Sequence, residues 1–167
     1  MILEERSVVA LTLLTAIAVV AADQLTKSIA RGAAGTQPQP ELFGGFIKLV
    51  DVRNSGVAFG QLSGGGVLVA GLVAAALTVL IWYFLRHLGT PMIWLATGLV
   101  VGGAAGNVID RVRAGAVTDF IKFPYWPAFN LADAAITLGV VLLVLLVELD
   151  SRRSRKEELT NASPSNG

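Results

Sequence analysis

Cysteine is absent from this chain, and histidine occurs once, at His87. The first absence removes disulfides, a thiolate nucleophile, cysteine-ligated zinc and any cysteine through which the chain could itself be acylated. The second leaves no histidine pair for a His-Glu-x-x-His zinc site, and a Ser-His-Asp triad would have to be built on His87 alone. His87 stands in Arg86-His87-Leu88-Gly89 at the end of an apolar run, where an interfacial loop residue is the expectation. Acid and base chemistry therefore falls to carboxylates, lysines or tyrosines, and neither a metal nor another cofactor is expected. Charge is scarce as well: 15% of the 167 residues are charged against 54% hydrophobic, with a mean hydropathy of +0.67. A chain this apolar reads as a small integral membrane protein, not an ordinary soluble domain. Its net charge of +1 supplies no basic field, which argues against nucleic acid and leaves lipid or a membrane-embedded substrate as partner.

Four apolar segments are present: Ser7 to Ala22, Val67 to Leu85, Pro91 to Ile109 and Ala134 to Val147. Crossing a hydrocarbon core of roughly 30 Å takes about 20 helical residues. The second and third segments suffice, while the first must recruit Asp23 and Lys27 and the fourth Asp133, at the bilayer edge. A cleavable leader is the rival reading of the first segment, with Val20-Ala21-Ala22 as a small-residue site, but Glu4 and Glu5 outnumber Arg6 where a leader is basic. Four spans put both termini on one side. The short basic segments Arg86 to Thr90 and Arg152 to Lys156 assign that side to the cytoplasm. The fold class expected is an all-α membrane protein of four transmembrane helices with a small extracytoplasmic β-sheet and loops. Residues 1–150 form one such domain, including an extracytoplasmic segment 28–66, and residues 151–167 a disordered cytoplasmic tail.

On the outer face, a Gly/Pro/Gln-rich loop is expected from Ser28, then a short strand over Phe46 to Arg53 and a turn at Asn54-Ser55-Gly56. The second outer stretch runs from Asp110 to Asp133. In it Asp119 and Asp133 flank an aromatic, proline-punctuated segment, Phe120 to Ala132. Ionised groups at the hydrocarbon boundary are costly and point to function. Asn130 reads as an N-cap, with Asp133 in the first turn of the fourth helix, a role compatible with catalysis. Two carboxylates close together cannot both ionise, so one activates water while its protonated partner polarises a carbonyl. Arg111 and Asn107, in Gly106-Asn107-Val108-Ile109-Asp110-Arg111 at the end of the third helix, would orient the pair or the substrate, although helix-end solvation explains either residue singly as well.

Five blocks occur in order: Asp23-x-x-x-Lys27, Asn54-Ser55-Gly56-Val57-Ala58-Phe59, Gly106-Asn107-x-x-Asp110-Arg111, Val117-Thr118-Asp119-Phe120 and Phe129-Asn130-Leu131-Ala132-Asp133. Together, over Asp23 to Gly139, they make the chain resemble the lipoprotein (type II) signal peptidases. The resemblance implies an aspartyl endopeptidase of the bacterial inner membrane that removes the signal peptide from prolipoproteins, cutting before a diacylglyceryl-bearing cysteine. It implies Asp119 and Asp133 as the catalytic dyad, and Asn54, Asn107, Arg111, Asn130, Asp23 and Lys27 as substrate-binding or site-orienting residues. Asp110 matches a motif position with a structural role. A multi-pass monomer is expected, and the span count and basic segments put its active site near the extracytoplasmic face. The loop from Ser28 to Gly45 matches none of these blocks, and its Gly and Pro content would allow a flap over the site.

Two other chemistries fit parts of the pattern. A proton-coupled transporter or channel also uses intramembrane acids, but needs them at mid-membrane, with inverted repeats that are not visible here. A Ser-Lys peptidase would use Ser55 or Ser28 with Lys27 or Lys48. The Gly-x-Gly-Asp motif of another intramembrane aspartyl class is absent.

Overall fold

The computed structural model describes residues 4–34, 41–55 and 65–162. In chain order these form α1 (Glu5–Ala34), β1 (Glu41–Leu42), β2 (Ile47–Asn54), α2 (Gly65–Arg86), α3 (Ile93–Ala114), β3 (Val117–Lys122) and α4 (Leu131–Ala162). The chain is thus mostly helical with a small sheet. Among the described residues, Glu5–Ala33, Ile93–Ala114 and Leu131–Arg153 are long and apolar enough to cross a membrane. Three of the four expected spans are therefore present as candidates by length and composition, and the apolar part of α2 among the described residues, Ala74–Arg86, is shorter. Large apolar side chains such as Leu14, Ile17, Leu138 and Val144 point outward and are well exposed. A belt of this kind has lipid as its natural solvent.

Helix α3 is the central element, packed against both α1 and α4. It achieves this by presenting backbone on two faces. A methyl group at Gly102 would lie 2.8 Å from the Ala16 carbonyl oxygen of α1, and one at Gly103 would lie 2.5 Å from the Ala132 carbonyl oxygen of α4. In lipid, helices associate through such close approach because there is no hydrophobic gain between them. The apolar core of Val8, Phe84, Ile93, Ala96 and Leu146 closes the end of the bundle remote from the sheet.

The sheet has the antiparallel order β1-β2-β3. The strand expected over Phe46 to Arg53 is β2. Asn54 is its last residue and does not begin the expected turn, while Gly56 lies outside the described residues. Strand β3 is a correction to the sequence reading, which takes Val117 to Phe120 as an acid among apolar neighbours. Val52 pairs with Asp119 and Asn54 with Val117, across an irregularity between Leu49 and Val52. A β-bridge from Ile121 to Phe129 folds the following segment back, returning Asn130 beside Asp119.

Three helix ends also differ from expectation. Helix α1 continues through Ala34, so Ser28 to Ala34 is helix and not loop, because an intrahelical pair between Asp23 and Lys27 carries it past the apolar run. Of the loop expected to act as a flap, residues 35–40 lie outside the described residues. Helix α3 does not close at Arg111. It ends at Ala114 and is capped by Gly115, whose φ of 71° lets its N–H return to the Arg111 carbonyl. Helix α4 runs through Ala162 into the stretch expected to be disordered, helped by a pair between Arg152 and Glu148 at 2.7 Å and by good helix formers; residues 163–167 lie outside the described residues.

Candidate active site

Asp119 sits in the middle of β3 and is 2% exposed; Asp133 occupies the first turn of α4 and is half-buried. One residue joins them. Asn130 donates from Nδ2 to Asp119 Oδ1 at 2.7 Å, and its backbone N–H donates to Asp133 Oδ2 at 3.3 Å. The Asp133 N–H returns to Asn130 Oδ1 at 3.0 Å, so the expected cap is a reciprocal capping box. Asn54, from the end of β2, donates Nδ2 to Asp119 Oδ2 at 3.0 Å. Asn107, from α3, donates Nδ2 to Asp133 Oδ1 at 2.8 Å.

The amide orientations are fixed by chemistry. Asn107 Oδ1 accepts from Lys27 Nζ at 3.1 Å and from Asn130 Nδ2 at 3.3 Å. An ammonium can only donate, so it faces the oxygen of Asn107 and turns the Nδ2 toward Asp133. Asn130 is held likewise, because its oxygen is taken by the helix N-terminus. Its Nδ2 must then bridge Asn107 and Asp119.

Burial pushes the Asp119 carboxyl above the ordinary carboxylate range, and the neighbouring Asp133 charge adds to this; the Asn54 and Asn130 bonds and the Lys27 charge oppose it and are outweighed. A carboxyl raised in this way beside a second acid suits the division of labour in which one group polarises a carbonyl while the other activates water. Among the described residues no three His, Asp or Glu side chains gather as a metal site. Beside Asp119 lies a cavity of about 290 Å³, lined by Val52, Arg53, Asn54, Ser55, Pro127 and Ala128. A second, apolar cavity of about 440 Å³ lies between α2, α3 and α4, with Leu80, Val100, Ala104, Ile136 and Leu143 in its wall.

Below the dyad, Asp23 and Lys27 are fully buried. Lys27 Nζ is 2.8 Å from Asp23 Oδ2 and 2.9 Å from Asp110 Oδ2, which with Asn107 uses all three of its donors. Of the eight residues expected at the site, seven join this network and Arg111 does not. Arg111 is exposed on α3, with Nη1 donating to the Asn107 carbonyl at 3.4 Å. Gln24 is a participant the sequence reading misses: its Nε2 lies 3.2 Å from Asp23, 3.3 Å from the Gly106 carbonyl and 3.0 Å from Asp110. Nothing in its local sequence marks it. Arg31 is also missed, donating to Thr118 Oγ1 at 3.1 Å, although its position on one helical face with Asp23 and Lys27 is a readable signal. Neither His87 nor Ser55 contributes a hydrogen bond to the dyad; His87 stacks on Tyr83 at 4.0 Å and meets its carbonyl at 2.9 Å.

This geometry has relatives. The chain is 40% identical over 141 residues to a lipoprotein signal peptidase of Syntrophomonas wolfei, covering 83% of this chain and 93% of that protein. It is 38% identical over 152 residues to a lipoprotein signal peptidase of Symbiobacterium thermophilum, covering 86% and 97%. Among solved structures, a bacterial membrane enzyme determined in meso at 1.9 Å superposes with a TM-score of 0.72 at 33% identity, covering 81% of this chain and 91% of that one. The family model described as signal peptidase (SPase) II matches residues 15–149, most of the bundle and the whole of the polar network, and the chain therefore belongs to the signal peptidase II family.

Proposed function

We propose that this protein is a membrane aspartyl endopeptidase that removes the signal peptide from diacylglyceryl-modified prolipoproteins, cutting before the lipidated cysteine. The observation that carries the reading is the pair Asp119 and Asp133 on one asparagine lattice, with Asp119 buried and its carboxyl pushed above the ordinary carboxylate range. Asp133 takes a proton from water, which attacks the scissile carbonyl; protonated Asp119 polarises that carbonyl. The proton then passes to the departing amine. Asn54, at the rim of the cavity beside Asp119, and exposed Arg111 meet the substrate, while Asn107, Asn130, Asp23 and Lys27 hold the dyad.

Residues 1–150 act as one four-span domain, with α2 as the fourth span, in the bacterial inner membrane as a monomer. Both termini face the cytoplasm and the sheet faces outward, as the short basic segments favour. Transport is less well supported, since Asp119 lies on a strand outside the candidate spans.

The test is cleavage of a diacylglyceryl-modified prolipoprotein by the purified protein in detergent. Asp119→Asn and Asp133→Asn are each expected to lose roughly a thousandfold or more in kcat, because each removes a proton-transfer group. Full activity in either correctly folded variant overturns the dyad. Loss in Ser55→Ala with retention in the aspartate variants would favour Ser-Lys chemistry instead.

A further inference from the structure

The two aspartates belong to different elements, β3 and α4, and each is preceded by a residue whose backbone N–H is gripped from below. Asp110 Oδ2 accepts the N–H of Thr118 at 3.1 Å, one residue before Asp119. Asp23 Oδ1 accepts the N–H of Ala132 at 3.0 Å, one residue before Asp133. Both carboxylates are clasped by the same ammonium, Lys27 Nζ, at 2.9 and 2.8 Å. Among the described residues the ammonium's third acceptor is Asn107, which bonds Asp133. Helices α1 and α3, which supply the three charges, each pack against both β3 and α4.

From this, and resting on the protease reading above, we propose that Lys27, with Asp23 and Asp110, is a positioning unit that sets the separation of the catalytic carboxyls. It acts through the two backbones and through Asn107, while its charge also bears on Asp119, and it touches neither substrate nor water. The pin is short and nearly inextensible. The ammonium fixes the distance between two carboxylates, and each carboxylate fixes one peptide N–H next to a catalytic side chain. Stability alone does not require this symmetry, because a buried ion pair seldom outperforms an apolar replacement in stability. Gln24 Nε2 adds a neutral bridge between the same two acids, satisfying lone pairs the ammonium leaves.

Lys27→Met alone would strand two buried acids, so two other variants provide the test. The first combines Lys27→Met, Asp23→Asn and Asp110→Asn, which removes every charge yet keeps an oxygen for the Ala132 and Thr118 N–H groups. The second is Asp110→Glu, which keeps the ion pair and lengthens one arm by a methylene. Each is purified in detergent, checked for folding by its thermal transition, and assayed on a diacylglyceryl-modified prolipoprotein beside the wild type. The expected result is a folded protein whose kcat falls by about a hundredfold in the triple variant and tenfold in Asp110→Glu, as displaced reacting groups do, with KM little changed. A folded variant of either kind with wild-type kcat overturns the proposal. So does a triple variant that cannot fold, which assigns the cluster to stability, and so does a change confined to KM. A wild type that fails to cut overturns the protease reading itself, and the two failures are thereby distinguished.

Discussion

At the scale of single residues, the site is governed by which atoms can donate. Lys27 has no acceptor, so Asn107 turns its oxygen down and its Nδ2 up; Asn130 lends its oxygen to a helix end, so its Nδ2 reaches Asp119. Asn54 holds the Asp119 carboxyl down against burial. Replacing it with alanine is expected to raise that carboxyl further and move the alkaline limb of the kcat profile to higher pH. A pH–rate series comparing Asn54→Ala with the wild type reads this, and an unmoved or lowered limb refutes it. The same shift has a stability consequence. With its folded value above the unfolded one, Asp119 contributes stability that is full below the unfolded pKa and is lost as pH rises through the raised value. Asp119→Asn lacks that loss. Thermal midpoints measured from about pH 4 upward should shift in the variant's favour relative to the wild type until pH passes the raised value, whatever constant offset the amide introduces against its two donors.

At the scale of elements, α3 sets the reach of the site because its glycines set how near α1 and α4 come. Gly103→Leu would drive a side chain into the Ala132 carbonyl, one residue from Asp133, and withdraw Asn107 from its partner. The expected cost is about 1–3 kcal/mol or more of stability, with a loss of kcat. Gly89→Ala, where nothing lies within 4 Å, serves as the matched control and is expected to change neither. Urea unfolding in detergent with a parallel cleavage assay checks both. The start of α4 is a second point of leverage. Asn130→Ala removes the cap and the bridge to Asp119 together, so about 1 kcal/mol of stability and most of the activity should go in one substitution. A variant that loses stability but cleaves normally would show that the asparagine serves the helix alone.

At the scale of the molecule, polar groups collect at one end of the bundle and apolar side chains cover its sides. An aspartate at outward-facing Ile17 or Val144 is expected to cost about 2.5–3.5 kcal/mol of insertion and deplete the protein from the membrane fraction. The proposed orientation predicts that a reporter fused after the basic stretch Arg152 to Lys156 is active only as a cytoplasmic enzyme. Activity of an exported reporter there would invert the topology.

Much of this was legible before any coordinates. Apolar length limited where helices could lie, and the cost of acids near hydrocarbon marked Asp119 and Asp133 and put Asp23 and Lys27 at the bilayer edge, while a site role for the latter two came from the family resemblance. Asn130 was readable as a cap from its spacing to Asp133. The tertiary structure alone decided that Asp119 belongs to a strand, since a strand of six residues owes its existence to pairing with β2 and leaves little local pattern. It also decided that Gln24 and Arg31 bond to this polar network while the Arg111 side chain stays exposed beside it, and that one ammonium holds the two carboxylates bonded to the backbones before Asp119 and Asp133. Hydrogen bonds between residues some eighty or more positions apart, such as Lys27 to Asn107 or Asp23 to Ala132, are set by how closely glycine-faced helices approach, and that distance belongs to the packed bundle.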